Sequence, residues 1–235
     1  MQQKIIELRN VSKEYRVGEV AIAALQDVSF CIDEGELVVI LGASGAGKTT
    51  ILNLLGGMDK ASGGEIIVNG DDITRWPDKR LTDYRRDNVG FVFQFYNLIA
   101  NLTALENVEF ASDVCADALD AREVLERVGL GERLGNFPSQ LSGGEQQRVA
   151  IARAVAKNPL LLLCDELTGA LDYATGKQVL TLLEEVNEHY RKTVVVITHN
   201  PEIAQMGDKV IKVKSGRIDE VAKNSAKRHV KDIEW

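Results

Sequence analysis

The octapeptide Gly42-Ala43-Ser44-Gly45-Ala46-Gly47-Lys48-Thr49 stands directly after the apolar run Glu36–Leu41 and just before a helical pattern through Ile51–Leu55. No other feature constrains the chain so strongly: a buried strand must end in a glycine-rich turn that opens a helix. Glycines let the backbone turn tightly, so that successive N–H groups converge on one point, and the following helix aims its partially positive end there. That point suits a chain of phosphate oxygens. The loop together with Thr50 is therefore the candidate phosphate site, with Lys48 adding a full charge. Thr49 offers a hydroxyl oxygen to Mg²⁺, which takes hard oxygen ligands in octahedral geometry.

Further short apolar runs at Val89–Phe93, Leu160–Cys164 and Thr193–Thr198 each precede a loop or helix signal, so the core reads as a parallel sheet in an α/β fold. Val179, Leu182, Leu183, Val186 and Tyr190 recur at three-to-four spacing, which predicts an amphipathic helix over Ala174–Arg191. Lys4–Leu8, Phe30–Ile32, Ile66–Val68 and, after a turn at Lys214–Gly216, the pair Val210–Val213 and Arg217–Asp219 predict antiparallel strands beside that core. The stretch Phe95–Ala156 reads as an inserted helical lobe.

Several classes are disfavoured by composition. The chain of 235 residues has the 45% hydrophobic and 27% charged content of an ordinary globular protein. Its longest aliphatic run, Leu160–Leu163, is far below the ~18 residues of a membrane span. The N-terminal Met1-Gln2-Gln3-Lys4 stretch lacks the apolar core of a secretory leader, which predicts a cytoplasmic protein. A net charge of −7 argues against a nucleic-acid partner. Cys31, Cys115 and Cys164 match neither a disulfide framework nor a metal-ligand spacing, and Cys31 and Cys164, inside apolar runs, read as buried thiols. The basic cluster Lys223, Lys227, Arg228 and Lys231 reads as a solvated, partly disordered tail, with an anionic lipid surface as the alternative.

Two further segments carry chemistry. A buried strand through Leu160–Cys164 ends in Asp165 and Glu166, whose side chains alternate in direction. One can hold a metal while the other polarises a water, so Asp165 is assigned to Mg²⁺ and Glu166 to general base. In Leu141-Ser142-Gly143-Gly144-Glu145-Gln146-Gln147-Arg148, Ser142 is a good N-cap, and two glycines let an anion approach the exposed N–H groups of a helix reaching Ala156. One chain thus carries two phosphate-directed helix starts.

That octapeptide resembles the signature of ABC ATPases, and the family's other motifs follow in its order over nearly the whole chain. The resemblance implies a P-loop NTPase fold: a RecA-like parallel-sheet core, an antiparallel β subdomain and an inserted α-helical subdomain. Its expected division is one domain, 1–235, with core 1–94 and 157–220, helical subdomain 95–156 and tail 221–235. It also implies roles for Tyr15 stacking on adenine, Gln94 at Mg²⁺ or the attacking water, Asp172 in the D-loop Gly169–Asp172, and His199 at the γ-phosphate. The cofactors implied are ATP and Mg²⁺. The implied partners are a second copy, joined head to tail, and a membrane permease met near Gln94 and Phe95–Asn107. The protein is then peripheral on the inner face of the membrane.

Phe95–Val108 and Thr168–Asp172 resemble the lipoprotein-releasing, macrolide-exporter and cell-division branch. Leu167 and Ala100 stand where that family commonly has proline, and the stretch after Asn107 is short. Alternatives are an ABC ATPase acting in cell division, as a mechanotransmission module, or in translation or chromosome maintenance, and a P-loop kinase of a small molecule. The last leaves the signature octapeptide unexplained.

Overall fold

The computed structural model describes residues 3–234; Met1, Gln2 and Trp235, at the limits of the expected 1–235 domain, lie outside them. Among the described residues ten strands form: β1 (Lys4–Val17), β2 (Val20–Asp33), β3 (Leu37–Leu41), β4 (Gly63–Val68), β5 (Asp71–Asp72), β6 (Val89–Val92), β7 (Leu161–Asp165), β8 (Thr193–Thr198), β9 (Lys209–Lys214) and β10 (Arg217–Lys223). Six α-helices accompany them: α1 (Lys48–Leu55), α2 (Asp78–Asn88), α3 (Ala104–Ser112), α4 (Ala121–Arg127), α5 (Gly143–Ala156) and α6 (Tyr173–Tyr190).

Strands β3, β6, β7, β8 and β9 run parallel in a six-stranded sheet of order β10-β9-β3-β8-β7-β6, with β10 antiparallel at the edge. Both faces are covered, so the inner strands β3, β7 and β8 are apolar at nearly every position, while β9 and β10 towards one edge carry lysines and other charges. Along β3, Leu37 and Val39 enter one core while Val38 and Ile40 enter the other, and β8 divides Val194 and Val196 from Val195 and Ile197 in the same way. The first core meets α3, α4, α5 and α6; the second meets α1 and a four-stranded antiparallel sheet of order β2-β1-β4-β5. Each fully buried Leu, Ile or Val contributes about 1.5–3 kcal/mol, which makes this sheet the rigid base of the molecule. Register places Leu41 beside Thr198 and Asp165 beside Ile197. The C-terminal ends of β3, β8 and β7 therefore lie side by side, where ligands of α/β sheets collect.

Four expectations need correction. Strand β9 lies parallel to β3 inside the core sheet and is antiparallel only to β10. The hairpin arms β1 and β2 are each 14 residues long, well beyond Lys4–Leu8 and Phe30–Ile32, because positive-φ Asn10 and Asp27 and repeated register shifts let strongly bent strands stay paired. Cys31 is only half buried, since it points to the side of β2 opposite Phe30 and Ile32, while Cys164 is fully buried.

The basic tail is not a free segment. Val230 and Ile233 are buried in the core beside α6, and Lys227 pairs with Asp208 at 3.0 Å. Arg228 N–H donates to the Gln205 carbonyl at 3.0 Å. Two apolar side chains, with these polar bonds and one from Lys177 Nζ to the Ile233 carbonyl at 3.0 Å, dock it.

Candidate active site

The turn after β3 places Gly42–Gly47 over the start of α1, with Gly45 and Gly47 in the left-handed region at φ 76° and 105°. Gly47 is the N-cap and no side chain caps the helix. A Cβ there would come within 2.8 Å of a Leu25 methyl and 2.9 Å of the Ala24 carbonyl oxygen, so glycine is required both for φ and for space. The loop is held from outside as well: Gly216 N–H donates to the Ala46 carbonyl at 2.9 Å. Lys48 is 4% exposed, and its ammonium donates to the carbonyls of Gly42 and Ala43 at 2.8 and 3.0 Å.

The acidic end of β7 meets this loop. Lys48 Nζ lies 3.6 Å from Glu166 Oε1, and Thr49 Oγ1 donates to Asp165 Oδ2 at 3.5 Å. Burial, then the charge of Glu166, push the Asp165 carboxyl above the usual carboxylate range, and the Thr49 hydroxyl and Lys48 charge offset this only in part. Two hard oxygens, one on a carboxylate whose ionisation is penalised, fit a divalent cation. Glu166 has φ 43°, in the left-handed region where a non-glycine residue costs of order 1–3 kcal/mol. Its N–H donates to the Ile197 carbonyl at 3.1 Å and its carbonyl accepts from Gly169 at 3.0 Å, which hold it there. His199, at the end of β8, brings Nδ1 to 3.3 Å from Glu166 Oε2. Leu167, where the family commonly has proline, is 2% exposed and anchors the turn by burial.

Gln94, after β6, packs against Gly169, where a Cβ would come within 2.8 Å of its Nε2. Asp172 caps α6: Oδ1 accepts from Thr175 N–H at 3.1 Å and Oδ2 from the Thr175 hydroxyl at 2.6 Å, which holds its carboxyl below the usual range. Ser142 and Glu145 form a capping box at the start of α5. The Ser142 hydroxyl accepts from Glu145 N–H at 3.3 Å, and Glu145 Oε2 accepts from the Ser142 N–H and hydroxyl at 2.8 Å each. Gly143 and Gly144 are close-packed, since a Cβ would meet the Tyr96 hydroxyl oxygen at 2.7 Å and a Thr175 methyl at 2.3 Å.

Lys48, Thr49, Thr50, Ser44, Gly45, Gly47 and Glu166 line one cleft of about 390 Å³. Asp172 and His199 line a second that shares Glu166. Ser142 is exposed and lines neither. Tyr15 is also absent from the cleft lining; Ile22, its partner across β1–β2, is present. The Tyr15 hydroxyl donates to Asp59 at 2.8 Å, and Lys13 Nζ sits 4.7 Å from its ring centroid.

The family model described as ABC transporter matches residues 25–169. The chain belongs to the ABC transporter family. It is the ATP-binding, ATP-hydrolysing component of such a system, an ABC ATPase with the α/β P-loop NTPase fold. An uncharacterized ABC transporter ATP-binding protein of Thermotoga maritima is 47% identical over 222 residues, covering 92% of this chain and 94% of that protein. The macrolide export ATP-binding/permease protein MacB of Bradyrhizobium diazoefficiens is 42% identical over 223 residues, covering 93% of this chain and 34% of that protein. Among solved structures, the dimeric post-hydrolysis state of the ATP-binding cassette MJ0796, bound to ADP and Pi, matches with TM-score 0.84 and 45% identity, covering 93% of this chain and 98% of that one. MJ0796 is a protein of Methanocaldococcus jannaschii.

Some lining residues of this ABC ATPase escaped the sequence reading. Ile22, Ala23 and Ala24 of β2 and Ser215 and Gly216 of the β9–β10 turn wall the cleft that holds Lys48 and Thr49. The Ser-Gly turn was legible, but nothing local said that it folds back onto the glycine loop. No helix among the described residues is long and apolar enough to cross a membrane.

Proposed function

We propose that two copies of this chain join head to tail, each ATP held between Lys48 of one copy and Ser142 of the other, and that closure and opening of the pair drive a separate membrane permease. The observation that carries this reading is the placement of the two phosphate-directed helix starts: Lys48 lines the cleft with Glu166, while Ser142 is exposed and lines no part of it. One chain holds half of two sites, and twofold symmetry completes both.

In that assembly the N–H groups of Gly42–Thr50 and the Lys48 ammonium bind the phosphates, and Ser142, Gly143, Gly144 and the Glu145 N–H face the γ-phosphate from the partner copy. Thr49, Asp165 and Gln94 would hold Mg²⁺, which neutralises phosphate charge. Glu166 accepts the proton of the attacking water, kept in place by its backbone bonds. His199 orients Glu166 and donates toward the γ-phosphate, Asp172 joins from the D-loop, and Tyr15 stacks on adenine. The permease docks near Gln94 and Phe95–Asn107, where Phe95 is 72% exposed. It belongs to the lipoprotein-release or macrolide and peptide-export kind, and the ATPase works on the cytoplasmic face of its membrane. The helical subdomain, 95–156, moves against the core, 1–94 and 157–220.

Sedimentation of the Glu166→Gln chain tests the assembly. It should be monomeric with ADP and dimeric with saturating ATP, and wild-type specific activity should rise with protein concentration. A monomer under both nucleotides, with activity independent of concentration, would refute the shared site.

A further inference from the structure

Helix α6 carries Glu184 and Glu188 four residues apart, on one face of the helix. The C-terminal segment after β10 crosses that face, burying Val230 and Ile233 and setting His229 beside the two carboxylates. Glu184 is 5% exposed, and its Oε1 makes no hydrogen bond among the described residues; only His229 Nδ1 approaches it, at ion-pair distance. Its Oε2 accepts one long bond from Val230 N–H at 3.4 Å. A carboxylate buried this way is unfavourable, and a second negative charge one turn along adds repulsion.

The spacing suggests what relieves it. One ligand atom from each of Glu184, Glu188 and His229 lies within 4.8 Å of the other two. His229 Nδ1 is 3.4 Å from Glu184 Oε1. Ligand atoms on a tetrahedral ion with bonds of about 2.0–2.1 Å sit roughly 3.3 Å apart, so one edge of such a shell is already set. An imidazole joined to two carboxylates suits Zn²⁺ better than Mg²⁺ or Ca²⁺, which prefer all-oxygen shells.

We propose that Glu184, Glu188 and His229 form a Zn²⁺ site that clamps the C-terminal segment onto α6, with a fourth position open to water. Glu188 and His229 are exposed, so the ion reaches the site from solvent without unfolding the segment. None of the three residues lines the cleft at Lys48, which makes this ion distinct from the nucleotide's metal.

The full-length protein, stripped with a chelator and free of nucleotide, should bind about one equivalent of Zn²⁺ by calorimetry, and Co²⁺ in its place should show a tetrahedral absorption band. Zn²⁺ should raise the melting temperature, because it binds only the folded chain. His229→Ala and Glu188→Gln, both at exposed positions, should each lower affinity by at least about tenfold and abolish the thermal shift. His189→Ala and Asp165→Asn should bind as wild type. Absence of stoichiometric binding, or binding equally tight in His229→Ala and Glu188→Gln, would overturn the site and leave only a His229–Glu184 ion pair. Loss of binding in Asp165→Asn would overturn it too, by placing the ion at the nucleotide cleft.

Discussion

The two helix starts proposed to face phosphate, at α1 and α5, are capped in opposite ways. At α1 the N-cap is a left-handed glycine, no side chain satisfies the first turn, and a buried lysine bonds to its own loop's carbonyls. At α5 the reciprocal Ser142–Glu145 box caps the helix within the chain. The first start is left open in the isolated chain: no side chain caps its first turn, and the buried Lys48 is held by two loop carbonyls with Glu166 at 3.6 Å. The second is complete in the isolated chain. On the proposed assembly the difference becomes a division of labour: the loop at Lys48 would capture nucleotide, and the start at Ser142 would be a preformed pad that tightens on it.

The largest effect should come from the carboxylate between these elements. Glu166→Gln keeps the shape of the side chain beside Lys48 but cannot take a proton from water, so turnover should fall about 10²–10⁴-fold with ATP binding retained. Steady-state rates and a nucleotide-binding isotherm check both halves; near-normal turnover would remove Glu166 from its role. Lys48→Ala should weaken nucleotide affinity roughly tenfold or more, the scale of one charge-assisted hydrogen bond of ~1.5–3 kcal/mol. Equal affinity would mean that the backbone alone captures phosphate, and the contrast between the two starts would fail.

Ser142→Ala acts on the capped start. It should lower the stability of the nucleotide-free chain by about 1 kcal/mol in denaturant melts, because the Glu145 N–H loses its acceptor. An equivalent loss is not expected at α1, which has no side-chain cap to remove.

The smallest effect concerns Asp165. Its folded pKa lies above the unfolded value, so the folded state holds the proton more tightly, and stability falls as pH rises from the ordinary carboxylate value through the raised one. Asp165→Asn should therefore melt higher than wild type at neutral pH without nucleotide, with the gap closing in acid, while hydrolysis drops. A variant that melts lower at neutral pH would contradict the penalty assigned to this carboxylate.

How much of this was legible depended on whether the signal was local. The glycine loop, the Ser142 cap and the strands β3, β7 and β8 each declare themselves within a dozen residues, because buried parallel strands are continuous apolar runs and helix starts need caps. Glu166 was found from its place after a strand. Its left-handed backbone, and the 3.3 Å approach of His199 from another strand, depend on tertiary pairing that no window contains. Helix α2 leaves no periodic stripe in the sequence, since only Leu81 and Tyr84 of its residues are buried. The docked tail hid for the same reason: Val230 and Ile233 stand alone among charges. Strand β9 looked like one arm of a hairpin, which it is, but its other edge pairs with β3 across more than a hundred residues of chain.

The division of labour is tested most directly by mixing two dead chains. Ser142→Arg blocks the pad and leaves the loop intact; Lys48→Ala disables the loop and leaves the pad intact. If each ATP lies between a loop from one copy and a pad from the other, a mixed dimer regains one working site, and an equimolar mixture should recover roughly a quarter of the wild-type sites by random pairing. A mixture that stays inactive while cross-linking shows mixed dimers forming would contradict the shared site.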